Sequence, residues 1–178
     1  MLLSLVLMPG TAAANEITIR DAQLEQTEEG PRLSASYDFE LPRVLEDALL
    51  RGIPLYFTSQ VQISRPRWYW FDERAIRTSR TKRISYNLLT REFRVVTLGS
   101  LQQSFSTLDE ALSMIRTPGR WLLAGPDSLK SGESYRVSLH MELDVAQLPK
   151  PFQVHALNSS DWRLSSDWMS FTFKVEEK

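Results

Sequence analysis

Leu129-Lys130-Ser131-Gly132-Glu133-Ser134-Tyr135, running on into Arg136-Val137-Ser138-Leu139-His140-Met141-Glu142-Leu143-Asp144-Val145, decides the fold class. Val137, Leu139, Met141, Leu143 and Val145 alternate with polar residues, the period of a long strand buried on one face. Tyr135 stands three residues after Gly132, near the start of that strand, and has two readings. In β-sandwiches a tyrosine so placed bonds its hydroxyl to backbone a few residues upstream and pins a crossing between sheets. Otherwise it is a core aromatic following a turn, since a glycine at that spacing occurs in turns of many folds.

Working outward, the same period recurs. Ile17, Ile19, Ala22 and Leu24 alternate across a bulge at Asp21. Thr27-Glu28-Glu29-Gly30-Pro31 is a turn, and Leu33, Ala35, Tyr37 and Phe39 form the return strand. A short helix lies between Pro42 and Gly52, with Val44, Leu45, Ala48 and Leu49 as its apolar stripe. Leu55, Phe57, Val61 and Ile63 share a strand face up to Pro66. Ile84, Tyr86 and Leu88 mark another strand, Leu89-Thr90-Arg91 a turn, and Phe93 and Val95 its partner, with Leu101, Gln103 and Phe105 continuing the meander. A second helix ends near Arg116, and either Ser106/Asp109 or Thr107/Glu110 can form its capping box. Met169, Phe171, Phe173 and Val175 close the chain as a strand. Short strands in succession with two short helices predict a mainly β fold, an antiparallel β-sandwich, immunoglobulin-like or a partly closed barrel.

The first fourteen residues differ from the rest. Leu2, Leu3, Leu5, Val6, Leu7 and Met8 precede Pro9-Gly10 and Ala12-Ala13-Ala14, a short apolar run followed by a small-residue cleavage pattern. Such a run cannot cross a bilayer, which takes about 20 apolar residues. Residues 1–14 are therefore expected to be a signal peptide, leaving a single domain, 15–178, in the periplasm. The run has no Lys or Arg before it, so either the signal is a weak one or the natural start lies upstream of Met1, and the second is the expectation. With no cysteine in the chain, there is neither a disulfide framework nor a lipid-modified cysteine. After cleavage the chain is not expected to span a membrane.

Motifs for chemistry are sparse. His140 and His155 are the two histidines, neither at metal-ligand spacing from another ligand, and His140 falls on the outward register of its strand. No Gly-x-Ser-x-Gly, phosphate loop or dinucleotide fingerprint occurs. Paired carboxylates for glycoside hydrolysis have no positive support, because 22 acidic residues always allow some pair at a suitable separation. No catalytic, metal or cofactor residue is assigned, and no cofactor is expected.

Charge is more informative. Arg65, Arg67, Arg74, Arg77, Arg80, Lys82, Arg83, Arg91 and Arg94 stand against Asp72, Glu73 and Glu92, so this stretch is strongly basic while the whole chain is near neutral, at −1. Trp68-Tyr69-Trp70-Phe71 lies inside it. Exposed aromatics beside arginine suit an interface. The competing reading is that the rings cap the core and the cations are a solvated face paired with acids elsewhere. On the first reading Arg65, Arg67, Trp68, Tyr69, Trp70, Arg80, Lys82 and Arg83 bind a partner, an acidic envelope protein or anionic lipid. Nucleic acid does not suit an exported protein.

Five stretches together carry a family resemblance: Glu46-Asp47-Ala48-Leu49-Leu50-Arg51-Gly52-Ile53-Pro54-Leu55, Arg65-Pro66-Arg67-Trp68-Tyr69-Trp70-Phe71-Asp72-Glu73, Ser104-Phe105-Ser106-Thr107-Leu108-Asp109-Glu110-Ala111-Leu112, Leu148-Pro149-Lys150-Pro151-Phe152-Gln153-Val154 and Asp161-Trp162-Arg163-Leu164-Ser165-Ser166-Asp167-Trp168. The chain resembles an uncharacterised family of exported proteobacterial proteins, a domain of unknown function. The resemblance implies an envelope-signalling neighbourhood, because genes of the family often stand beside one for a nitrogen-regulation-type sensor histidine kinase. It implies no activity. The expected function is thus a non-catalytic periplasmic binding or interaction module. The alternatives are an enzyme that acts on an envelope polymer with carboxylate acid/base residues, and a structural accessory subunit of a membrane complex.

Overall fold

A computed structural model describes residues 16–66, 73–97 and 99–176, and in it the alternating segments become strands. β1 (Thr18–Thr27) and β2 (Gly30–Asp38) form a tight hairpin whose register shifts between Ile19 and Asp21, where a bulge is expected. α1 (Arg43–Leu50) follows and buries Leu45, Ala48 and Leu49. Next come β3 (Leu55–Arg65), β4 (Glu73–Asn87), β5 (Glu92–Thr97) and β6 (Gln103–Phe105), a meander. α2 (Leu108–Arg116) starts with a capping box in which Thr107 accepts from the Glu110 N–H and Glu110 accepts from the Thr107 N–H, so the second of the two expected pairs is the one formed. β7 (Trp121–Leu122), β8 (Ser134–Leu143), α3 (Lys150–Asn158) and β9 (Met169–Lys174) complete the order.

Among the described residues the strands make two antiparallel sheets, a small one ordered β1-β2-β7 and a large one ordered β6-β5-β4-β3-β8-β9, with no closed barrel. The chain leaves the small sheet after β2, returns for β7, and crosses again so that β8 lies beside β3. Their inner faces meet where Phe39 stacks on Phe57, ring centres 5.3 Å apart, and where Tyr37 donates to Ser59 Oγ at 3.1 Å. Leu55, Phe57, Val61 and Ile63 of β3 pack there with Val137, Leu139 and Met141 of β8, all within 2 % of full burial. Each such side chain contributes about 1.5–3 kcal/mol by leaving water.

Tyr135 resolves as a corner. Its ring is buried, and its hydroxyl accepts from the Lys130 N–H at 2.9 Å, five residues upstream on the path from β7 to β8. Gly132 turns that path with φ +76° and donates its N–H to Val175 beyond β9.

Three elements depart from the sequence reading, and one of them is β8, which stops at Leu143 and leaves Val145 in a 3-10 turn. α3 is a third helix, and it begins at Pro149-Lys150-Pro151, where proline is tolerated because the first helical N–H groups have no partner to lose. β4 begins eleven residues before Ile84, and it ends at Asn87, which leaves Leu88 in the turn. The proposed signal segment, 1–14, lies outside the described residues. Among those described, no helix is long and apolar enough to cross a membrane.

Candidate anion-binding face

Strand period divides the basic stretch. Along β4, Ile76, Thr78, Arg80, Lys82 and Ile84 pair with the inward residues Ile63, Val61, Ser59, Phe57 and Leu55 of β3, whereas Arg77, Thr81 and Arg83 pair with the outward Gln62, Thr58 and Tyr56. Two of the expected partner-binding cations therefore point into the protein and one points out.

The inward pair is engaged locally. Pro118 lies four residues after Met114 and has no N–H, so it cannot close the helical hydrogen bond that the Met114 carbonyl at the end of α2 would otherwise accept. Lys82 Nζ donates to that carbonyl at 2.6 Å instead, a cation at the negative end of the helix dipole. Arg80 donates to the Pro118 carbonyl at 3.1 Å and lays its guanidinium 4.8 Å over the Trp121 ring. Lys82 is only 5 % exposed; burial, and then the neighbouring Arg80 charge, push its ammonium down to about 8. Burial likewise lowers the Arg80 pKa, opposed by Tyr37, and raises that of the Tyr37 phenol against the Ser59 hydrogen bond and Arg80. These groups fasten α2 and its closing turn to the large sheet, so Lys82 is corrected from surface residue to buried helix clasp.

Arg65, at the end of β3, is held by Glu73 at 2.6 Å and Glu133 at 3.3 Å. Its charge is thereby matched. Arg67, Trp68, Tyr69 and Trp70 lie outside the described residues.

Among the described members of the expected set, Arg83 stands on the outer face, and the structure brings Arg94 to it. Arg83 pairs with Val96 and Ser85 with Arg94, so the two arginines are diagonal neighbours across β4 and β5, roughly 7–8 Å apart. The Nε of each is buried and has no hydrogen-bond partner. Nearly all buried polar atoms are paired. Among the described residues the other unpaired side-chain atom is Gln26 Oε1, on the small sheet. Arg77, Arg136 and Lys174 share the outer face by register, against Glu92 and Glu142. Glu142 is engaged elsewhere, accepting from Gln60 at 2.9 Å.

Further across this face lies a cluster the sequence did not reveal. His140 stacks on Trp168 with ring centres 5.0 Å apart, its Nδ1 3.4 Å from Ser166 Oγ and its Nε2 3.6 Å from Glu142. Hydroxyl, imidazole and carboxylate stand in the order of a hydrolytic triad, yet both spacings exceed the roughly 2.6–3.2 Å of a working nucleophile and base. Ser166 is committed to the backbone instead. Its buried Oγ accepts from the Met141 N–H at 3.0 Å, and its own N–H donates to the Met141 carbonyl. The side chain repairs the ladder just where Asp167-Trp168 interrupts it before β9. Only the tertiary contact between segments 25 residues apart brings these groups together.

Residues 14–172 match the family model described as a domain of unknown function, DUF4390. The chain belongs to the DUF4390 family. No curated protein and no solved structure matches it. The DUF4390 match runs from before β1 into β9 and takes in α1, α2, α3 and the outer face that carries Arg83 and Arg94.

Proposed function

We propose that this DUF4390 protein is a non-catalytic binding module of the bacterial envelope, exported by its apolar leader, that holds an oxyanion partner on the outer face of its large sheet through Arg83 and Arg94. The apolar run at residues 2–8 and the alanines at 12–14 support export. The observation that carries the binding reading is the pair of neighbouring Nε–H donors with no acceptor. A guanidinium offers carboxylate or phosphate a fixed fork of N–H groups, and such charge-assisted bonds are about twice as strong as neutral ones.

The test is titration with polyglutamate and with polyphosphate, followed by calorimetry. Binding should weaken from ~0.1 M to ~1 M salt as the Debye length contracts from about 10 Å to about 3 Å. Arg83→Gln with Arg94→Gln should weaken it by about tenfold or more. Arg20→Gln with Arg120→Gln removes two charges from the small-sheet side, where they face Asp38 and Glu25, and should change it little. Equal losses in the two double variants would reduce the effect to net charge and sink the reading.

A further inference from the structure

The β4–β5 hairpin that carries Arg83 and Arg94 ends in a turn, Leu88-Leu89-Thr90-Arg91, of unusual composition. Leu88 is 61 % exposed and Leu89 95 %. Turn tips are normally polar, because nothing at a tip shields apolar atoms from water. This one is also closed by hydrogen bonds. Asn87 Oδ1 accepts from the Leu89 and Thr90 N–H groups at 2.9 and 3.2 Å, the Arg91 N–H donates to the Asn87 carbonyl at 2.7 Å, and Arg91 takes φ +56°. Both leucines are thus held out by a closed hydrogen-bond pattern. Gly52, just after α1, lies beside Leu88, where an added Cβ would meet its Cδ1 at 3.7 Å. Arg91 sits in the turn, with Arg94 and Arg83 behind it; Glu92 is the acid among them. Leu101 is also exposed, past the far end of β5.

We infer that this hairpin is a membrane-touching element: Leu88 and Leu89 enter the boundary between headgroups and acyl chains of an anionic bilayer, while Arg91, Arg94 and Arg83 engage lipid phosphates. The inference rests on the oxyanion reading above and names its partner. An apolar tip backed by cations matches the two layers of a bilayer surface, apolar beneath and anionic above. An acidic protein loop would match the arginines but leave the leucines in water.

Flotation of the full chain tests this, with vesicles of phosphatidylcholine alone and of phosphatidylcholine with phosphatidylglycerol. Binding should require phosphatidylglycerol, and Leu88→Ser with Leu89→Ser should lower the partition coefficient by about tenfold or more. Leu89→Ser alone, at a side chain that packs on nothing, covers the case in which the double variant folds poorly. Leu89→Trp should show a blue-shifted emission and quenching by brominated lipid. Equal binding to neutral vesicles, or binding unchanged by the leucine substitutions, overturns the inference. So does self-association abolished by Leu89→Ser, which assigns the tip to a second copy. Arginine-dependent binding of polyglutamate or polyphosphate without vesicle binding overturns this inference and leaves the oxyanion reading standing; loss of both overturns both.

Discussion

Replacing Lys82 by methionine keeps the apolar stem in its place under α2 and removes the ammonium that meets the Met114 carbonyl. The ammonium has a folded pKa of about 8 against 10.5 for the free side chain. At 1.36 kcal/mol per pH unit, carrying the charge costs the folded state on the order of 3 kcal/mol relative to the neutral amine. Below pH 8 both folded and unfolded chains hold the proton, and this cost is present in full. Between pH 8 and 10.5 the folded chain releases it while the unfolded chain retains it, so the unfolded state binds more protons and stability rises with pH. Above 10.5 neither holds it and the cost is gone. The Tyr37 phenol, raised by burial, acts the other way above pH 10, but does so in both proteins and cancels in their difference. Lys82→Met also leaves the Met114 carbonyl without its donor, a pH-independent loss of about 1–3 kcal/mol. Urea unfolding followed by tryptophan fluorescence at intervals from pH 7 to 10.5 should therefore find the two proteins close in stability at pH 7. The wild type should pull ahead by up to on the order of 3 kcal/mol as the window is crossed. A difference that stays flat within about 0.5 kcal/mol, the range of an ordinary surface substitution, would refute the assignment of Lys82 as a buried charge.

Tyr135→Phe keeps the buried ring and orphans the Lys130 N–H; it should cost about 1–3 kcal/mol in urea unfolding, and a change within about 0.5 kcal/mol would deny the corner any role in stability. Gly30→Ala places a Cβ 2.1 Å from the Ala124 carbonyl oxygen at φ +129°, backbone against backbone, and should lower stability by more than about 2 kcal/mol. Gly125→Ala, at φ −68° with nothing within 4 Å of the new atom, should be neutral or stabilising by up to about 1 kcal/mol. Thermal melts of the two glycine variants that coincide would remove the argument for that close approach.

Elements were legible wherever period and burial agree. β1, β2, β3, β8 and β9 put mostly apolar side chains inward, interrupted by the bulge in β1 and by Ser59 in β3, and Thr107/Glu110 announces α2 because a cap is a local contact between residues three apart. The first half of β4 was hidden because three successive inward positions, Thr78, Arg80 and Lys82, are polar. Their alternation is invisible to a hydropathy pattern. Arg94, outside the expected binding set, joins Arg83 only through the β4–β5 register.

Composition and local pattern alone were enough to establish the β-rich class and the concentration of cations between residues 65 and 94, whereas the corner at Tyr135 was one of two readings, decided by the Lys130 N–H that donates to its hydroxyl. They could not distribute those cations. Whether an arginine in a strand meets water or the core depends on which face the opposing layer covers, and here the helix end at Met114, cut short by Pro118, takes Lys82 and Arg80 inward. Arg83 and Arg94 are left outward by the strand register, and the Nε of each has no hydrogen-bond partner among the described residues. Period is a property of neighbours along the chain; partnership belongs to groups that only the tertiary structure brings within reach.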